Sequence, residues 1–521
     1  MKPSTRITTP PMTLTQAFLD TAARMPEEPA ILHADTRLSY AALARQTLAL
    51  THHLLALPRL TPGTRIGLWL RNRPEFVPSL LGSLHAGAVV VPINSFLKPD
   101  EIAYLLADAG IDLVITEADL RADFDKVRAL HPRLEAWFVE DFASLPEPPV
   151  SPVRSIPHRS PDDLAVLIYT SGTTGQPKGA MLSQGNLLHN VESCRQILEV
   201  VEFDRFVLML PMFHSFMLTV CILLPLLTGG SIVLIRSLHP PKALVGELIA
   251  NRGTVLPAMA QVFRALALLP PEIKLPLRLG ISGAGPLPAE ILRLFNQRFP
   301  EIPLIEGYGL SEASPVVSVN PIHGPWIAGT IGLPIPNVEI SIRDDDGQPL
   351  PDLVDGEIWV RGGNVMRGYW NAPEKTTEAL RDGWLLTGDV GHRRPDGFFV
   401  ITDRKKDMLK PNGMNVYPRE IEEVIFRFPG IREVAVVGEP DERRGERPVA
   451  FVAVDEGVVF DERALMAFLR DKLADYKLPR RAVQLPALPR NATGKILKIR
   501  LREMLGARET PSQGEGSTRS V

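Results

Sequence analysis

Apolar and polar positions along the first 140 residues alternate between two periods. Leu14 to Met25 repeats apolar residues at helical spacing, and Pro29 to Tyr40 reads as a short hairpin turning near Asp35. Ser39 is placed to cap a helix running to about Leu57. Compact apolar runs at Ile66 to Leu70, Ala88 to Ile93 and Asp112 to Thr116 then alternate with helical patterns at Pro74 to Ala86 and Pro99 to Ala109. Strand and helix in turn are the mark of βαβ units and a largely parallel sheet.

After Pro-rich sequence from Leu145 to Pro161, the apolar run Leu164 to Tyr169 predicts a strand that enters a glycine-rich loop, with a helix starting at Ser183. Strand, loop and helix in that order would aim backbone N–H groups at a phosphate. The βα alternation resumes with strands at Arg205 to Leu210, Ser231 to Ile235, Thr254 to Leu256, Leu277 to Ser282 and Ile302 to Glu306. From Ile331 to Val400 short strands and Gly/Asp/Pro turns predict an antiparallel β subdomain. From Asn415 a smaller α+β unit appears, with helices at Pro418 to Phe428 and Glu462 to Leu473 and strands at Val434 to Gly438 and Val449 to Val454.

The chain has 521 residues, enough for more than one domain, with 45% apolar and 22% charged residues. A formal net charge of -3 argues against bulk nucleic-acid binding. Two separated cysteines, Cys194 and Cys221, indicate neither a disulfide framework nor a cysteine zinc site, which suits a reducing cytoplasm. The N-terminus lacks the apolar core of a secretory signal. The apolar run Phe216 to Leu227 falls well short of the roughly 20 residues of a membrane span.

The loop that ends the Leu164 to Tyr169 strand carries the chemistry. Tyr169 to Gly179 reads YTSGTTGQPKG: three glycines permit close backbone approach, and Thr170, Ser171, Thr173, Thr174 and Lys178 supply hydroxyls and a positive charge. A polyanion is the expected guest. Lys178 follows Pro177, so the spacing is not that of a Walker A loop.

Further along, Glu306 to Glu312 reads EGYGLSE, Ser282 to Gly285 is a tight SGAG turn, and Asp389 ends the triplet Thr387-Gly388-Asp389. Arg404 and Lys406 lie in the charged stretch DRKKD, Gly413 in KPNGMNVYP, and Lys495 in PRNATGK. The Ser282 turn is a near miss for a nucleophile elbow, but no Asp and His can be nominated to complete a triad.

These segments, in this order, resemble the adenylate-forming ligases: acyl-CoA synthetases, luciferases and the adenylation domains of peptide synthetases. The resemblance runs from about Leu14 to Arg500. It implies a large N-terminal portion (residues 1–403) of two doubly wound α/β subdomains plus a β subdomain, a hinge at 404–407, a smaller mobile α+β lid at 408–508, and a polar tail at 509–521 that reads as disordered. It implies ATP, Mg²⁺ and coenzyme A as cofactors, and activation of a carboxylic acid to an acyl-adenylate followed by transfer to a thiol.

By the same resemblance, Thr170, Ser171, Gly172, Thr173, Thr174, Gly175 and Lys178 hold the β and γ phosphates, and Thr170 with Glu312 positions the metal. Gly283, Ala284, Gly285, Glu306, Gly307, Tyr308 and Gly309 form the adenine side, and Ser311, which replaces the family's commoner threonine but keeps the hydroxyl, reaches phosphate or metal with Glu312. Asp389 accepts the ribose hydroxyls, and Arg404 serves ribose or α-phosphate. Lys495 is the catalytic lysine, and His214 stands beside the acyl pocket as a wall or gate. Gly413 faces the pantetheine channel, and Lys406 is the hinge.

An apolar acyl chain, medium or long, suits the apolar run after His214. Several alternatives stay open: an aryl acid such as a cinnamate, an acyl carrier protein as acceptor in place of coenzyme A, a luciferase-like oxidase, and a catalytically silent nucleotide-binding protein. So do a monomer or homodimer and, for a cytoplasmic protein, peripheral contact with the inner face of a membrane.

Overall fold

The computed structural model describes residues 13–144, 154–170, 177–236, 241–411, 414–441, 445–491 and 494–506. The chain divides into two compact units. The first runs to Pro351 and adds Ile358–Thr387 and Arg393–Val400; the second takes Asp352–Glu357, Gly388–His392 and everything from Ile401.

In the first unit the alternating pattern builds two sheets. One has the order Glu135–Phe138, Leu113–Thr116, Arg65–Trp69, Val89–Pro92, Leu164–Thr170, Lys178–Ser183. Its first five strands are parallel, and Val89–Pro92 is buried at every residue, as a strand covered on both faces must be. The second sheet has a parallel core of Leu304–Gly309, Leu279–Ser282, Val255–Ala258, Arg205–Leu208, Ser231–Leu234 and Pro29–His33. The hairpin partner Thr36–Ser39 adds an antiparallel edge, and Ser39 caps the helix Tyr40–Leu55 as expected. The chain therefore starts in the second sheet and returns to it only after completing the first.

One expectation fails. Between the glycine loop and the helix Gln184–Ile197 stands a six-residue strand, Lys178–Ser183, antiparallel to Leu164–Thr170. The loop closes a β-hairpin and does not feed a helix N-terminus. Its small residues Gly179 and Ala180 give little strand signal, and the pairing that decides the conformation is tertiary. The helix Arg121–Leu130 and the strand Glu135–Phe138 also escape the sequence pattern.

The antiparallel strands after Glu306 grow directly from the parallel sheet: Val316–Val319 pairs with Leu304–Gly309, and Thr330–Pro334 with Val316–Val319. In the second unit, Ile431–Asp441 and Gly445–Val454 form a long hairpin with Ala482–Gln484 parallel to its second strand. Alternate residues serve two cores. Val434, Val436, Ala450 and Val452 face the helices Pro418–Phe426 and Glu462–Arg470, whereas Ala435, Val437, Val449 and Phe451 pack with Leu501 and Leu505.

Behind the second sheet, Asp204 is 1% exposed and accepts bonds from Arg278 Nε (2.7 Å), Thr254 Oγ1 (2.8 Å) and the Val201 N–H (2.9 Å). Removing the carboxylate strands a half-buried guanidinium. Asp204→Ala is expected to cost about 3 kcal/mol of stability, seen as a lowered urea midpoint for the first unit; an unchanged midpoint would show the network to be energetically neutral.

Candidate active site

Tyr169 stands opposite Gly179 and Thr170 opposite Lys178 in the hairpin, so the two ends of the glycine loop are in fixed register. Ser171, Gly172, Thr173, Thr174 and Gly175 lie outside the described residues. The outer edge of Lys178–Ser183 is paired by the segment 367–370: Arg367 N–H donates to Met181 O (2.9 Å), Met181 N–H to Gly368 O (2.9 Å) and Trp370 N–H to Gly179 O (2.8 Å). Gly368 has φ +131°, where a side chain is strained and would strike Thr376.

That strap delivers Tyr369. Its hydroxyl donates to Glu312 Oε1 at 2.9 Å, and Thr170 Oγ1 lies 3.4 Å from the same oxygen. Lys178 Nζ sits 5.2 Å from the centre of the Tyr369 ring, within cation–π range. Burial and the neighbouring Glu312 carboxylate push the Tyr369 phenol well above its ordinary range, so it stays a neutral donor. Glu312 itself is held through its carbonyl by the Met366 N–H at 2.8 Å. Thr170 and Lys178 thus converge with Glu312, more than a hundred residues further along, and sequence reasoning missed the residue at their centre. The available signal was an aromatic pair, Tyr369-Trp370, directly after a glycine in a turn-rich region.

Glu306, Gly307, Tyr308 and Gly309 belong to one strand, Leu304–Gly309, which runs past the Glu306 end that the pattern predicts. Tyr308 is half-buried. Gly309 admits no side chain: a Cβ there would lie 2.1 Å from Pro315 O, because the chain doubles back. Ser311 Oγ meets Ser215 Oγ at 2.9 Å. The left-handed residue of the Ser282 turn is Ala284, at φ +62°, and not a glycine. Gly283 is needed for another reason, since a Cβ would lie 2.9 Å from the Phe216 ring. Gly285 is exposed. Ser282 Oγ is fully buried with no hydrogen-bond partner among the described residues.

His214 precedes a wide-turned helix, Met217–Leu223, that is buried throughout. Its Nδ1 accepts from the Phe216 N–H at 3.3 Å, which assigns the ring proton of the neutral form to Nε2. Asn72, from the first sheet's subdomain, clamps the backbone just before it: Nδ2 donates to Leu210 O and Oδ1 accepts from Met212 N–H, both at 2.9 Å.

The remaining candidates cluster within the second unit. Asp389 is 3% exposed and ion-paired to Arg404 Nε at 2.9 Å. Gly388, at φ +71°, donates to Glu357 Oε1 (3.1 Å) and accepts from the Lys405 N–H (2.9 Å), which fixes Asp389. After the strand Phe399–Arg404 the chain turns through Lys405, Lys406 and Asp407, with the Asp407 N–H returning to Arg404 O. Lys495 sits on a tight turn in which Asn491 Oδ1 accepts the Lys495 N–H (2.9 Å) and Gly494 adopts φ +81°. Gly413 lies outside the described residues.

A family model described as AMP-binding enzyme matches residues 18–370, and one described as AMP-binding enzyme C-terminal domain matches residues 420–495. The chain belongs to the AMP-binding enzymes. It is 35% identical to a long-chain-fatty-acid–CoA ligase of Bacillus subtilis, covering 95% of both chains. It is also 35% identical to a feruloyl-CoA synthase of an Amycolatopsis species, covering 93% of this chain and 97% of that one. The crystal structure of ATP-bound MatB from Rhodopseudomonas palustris superposes with a TM-score of 0.86 at 31% identity, over 95% and 99% of the two chains. Like the adenylate-forming enzymes it matches, the protein is an ATP-dependent, AMP-forming acid–thiol ligase using ATP, Mg²⁺ and coenzyme A.

The site of this AMP-binding enzyme suits that chemistry. Among the described residues no three His, Cys, Asp or Glu side chains gather to enclose a metal. The Glu312 carboxylate and the Thr170 hydroxyl would supply oxygen ligands of the kind a magnesium ion takes together with phosphates and water, and the Lys178 ammonium would serve the phosphates. Bound there, the ion would neutralise phosphate charge. No helix among the described residues is long and apolar enough to cross a membrane.

Lys495 leaves much of its surface to solvent, yet the protein packed around its ammonium and the like charges of Arg404 and Lys406 outweigh Asp389 and Asp407, pushing its pKa down to about 8. A lysine acts as a cation only below its pKa. The kcat/KM for ATP in acid-dependent pyrophosphate exchange is therefore expected to fall as pH rises through about 8, while kcat, measured with the anions bound, holds to higher pH. A kcat/KM flat to pH 10 would refute the lowered pKa.

Proposed function

We propose that this ligase activates a medium- or long-chain fatty acid and passes it to coenzyme A. The observation that carries the substrate class is the segment behind His214: from Phe206 to Gly230 the chain has no Asp, Glu, Lys or Arg, and Met217–Leu223 is buried at every position. A site walled by such a segment rewards an apolar tail, and burial is worth about 0.8 kcal/mol per methylene. The long-chain ligase relative supports the same reading.

In this mechanism Lys178 and the glycine loop hold the β and γ phosphates, with Thr170 and Glu312 positioning the metal. Tyr308 lies along the adenine, Asp389 takes the ribose hydroxyls, and Arg404 reaches ribose or α-phosphate. Lys495 spans the substrate carboxylate and the α-phosphate, offsetting the repulsion between two anions that must meet in line. After pyrophosphate leaves, rotation about Lys406 withdraws Lys495 and presents Gly413 and its neighbours to the thiol, so one site serves two reactions. His214 borders the acyl group as a wall.

The feruloyl-CoA synthase relative, equally identical, favours a second reading with a planar aryl acid. Pyrophosphate exchange measured over octanoate, palmitate and ferulate separates them: rates rising with alkyl length support the fatty acid, and a preference for ferulate overturns it. Lys495→Ala is expected to lower exchange by at least a thousandfold while sparing thioester formation from supplied acyl-adenylate. Equal loss in both would refute the division of roles. Lys406→Pro should do the reverse, slowing thioester transfer several-fold.

A further inference from the structure

The strap 367–370 does more than cover an edge strand. It sets one side chain, Tyr369, between the two charged groups that face the polyphosphate. Trp370 beside it is anchored by its indole N–H to Asp108 O (3.1 Å), and the same Asp108 accepts from the Tyr169 hydroxyl at the entry to the glycine loop. Ala180 also bridges directly to Tyr369 across the strand. Tyr369 is thus held by backbone pairing in the strap, and its ring is spanned by Glu312 at the hydroxyl and Lys178 at the face.

We propose that Tyr369 is the positioning residue of the nucleotide–metal site: its hydroxyl aims the Glu312 carboxylate and its ring parks the Lys178 ammonium. The inference rests on the reading of Glu312 as the metal-side carboxylate. Left alone, a glutamate on the short turn Ser311–Ala313 has three side-chain torsions to settle, and Lys178 has four. An uncharged donor is well suited here, because it orders the carboxylate without neutralising it, and Oε1 shared by Tyr369 and Thr170 leaves the second oxygen to face a cation. For the lysine, the ring face holds an ammonium near its working place without giving it a counter-anion that a phosphate would have to displace.

The two functions of the side chain can be separated. Tyr369→Phe keeps the ring and removes the hydroxyl, whereas Tyr369→Leu removes both. The readouts are Mn²⁺ affinity of the complex with a non-hydrolysable ATP analogue, followed by electron paramagnetic resonance, and affinity for the analogue without metal, followed by calorimetry. Tyr369→Phe is expected to weaken Mn²⁺ about tenfold, the size of one hydrogen bond to a charged acceptor, and to leave metal-free nucleotide affinity unchanged. Tyr369→Leu should weaken both, the second by a few-fold. Glu312→Gln serves as the reference: if it leaves Mn²⁺ affinity intact, the metal-side reading of Glu312 falls. If Glu312→Gln weakens Mn²⁺ and Tyr369→Phe does not, the positioning role of Tyr369 is overturned. Melting temperatures within a degree or two of the parent certify that each variant is folded, and should Tyr369→Leu melt early, the Phe variant alone decides.

Discussion

The backbone pairing of 367–370 with Gly179–Met181 is the contact on which the first unit's chemistry depends. Three hydrogen bonds close the outer edge of the glycine-loop hairpin, which would otherwise present unpaired N–H and C=O groups. The same pairing brings Tyr369 to Glu312 and Lys178. Gly179 shows how tight the fit is, since a Cβ there would lie 3.1 Å from the Tyr169 ring and 3.4 Å from Trp370 Cβ. Register, side-chain placement and charge are set by one piece of β structure.

The second unit meets a different constraint, like charges held close. Arg404, Lys406 and Lys495 share a neighbourhood with Asp389 and Asp407, and the lysines respond by lowered pKa values. Asp407 is itself tied to Arg502 at 2.7 Å, and Asp403 accepts the N–H groups of Arg404 (2.7 Å) and Arg419 (2.9 Å). The turn carrying Lys406 is therefore braced by carboxylates at both ends, and the freedom left to it lies in the residues between. A crowded cation is poised to gain when anions arrive, because each phosphate or carboxylate relieves repulsion already present.

Much of this was legible in the chain. The βα alternation placed four strands of the first sheet, Arg65–Trp69, Val89–Pro92, Leu113–Thr116 and Leu164–Thr170, and the helices Phe76–His85 and Pro99–Ala109 to within two residues, because apolar runs bounded by Gly and Pro signal buried parallel strands. The motif letters pointed to nucleotide chemistry because glycines, hydroxyls and a lysine have few other reasons to share ten residues. The failures share a cause. Lys178–Ser183 is a strand only because two neighbours supply its hydrogen bonds, and Glu135–Phe138 is one because it lies along Leu113–Thr116.

By itself the sequence determined the periodicity of the elements, the order of the nucleotide-binding segments and the uncharged stretch behind His214. These are local properties, written in spacing and composition. Only the tertiary structure decided that the glycine loop closes a hairpin and that Tyr369 stands between Glu312 and Lys178. The outer edge of the hairpin is covered, and Tyr369 is placed, by pairing between residues nearly two hundred positions apart, and no local pattern encodes which edge strand a distant segment will meet.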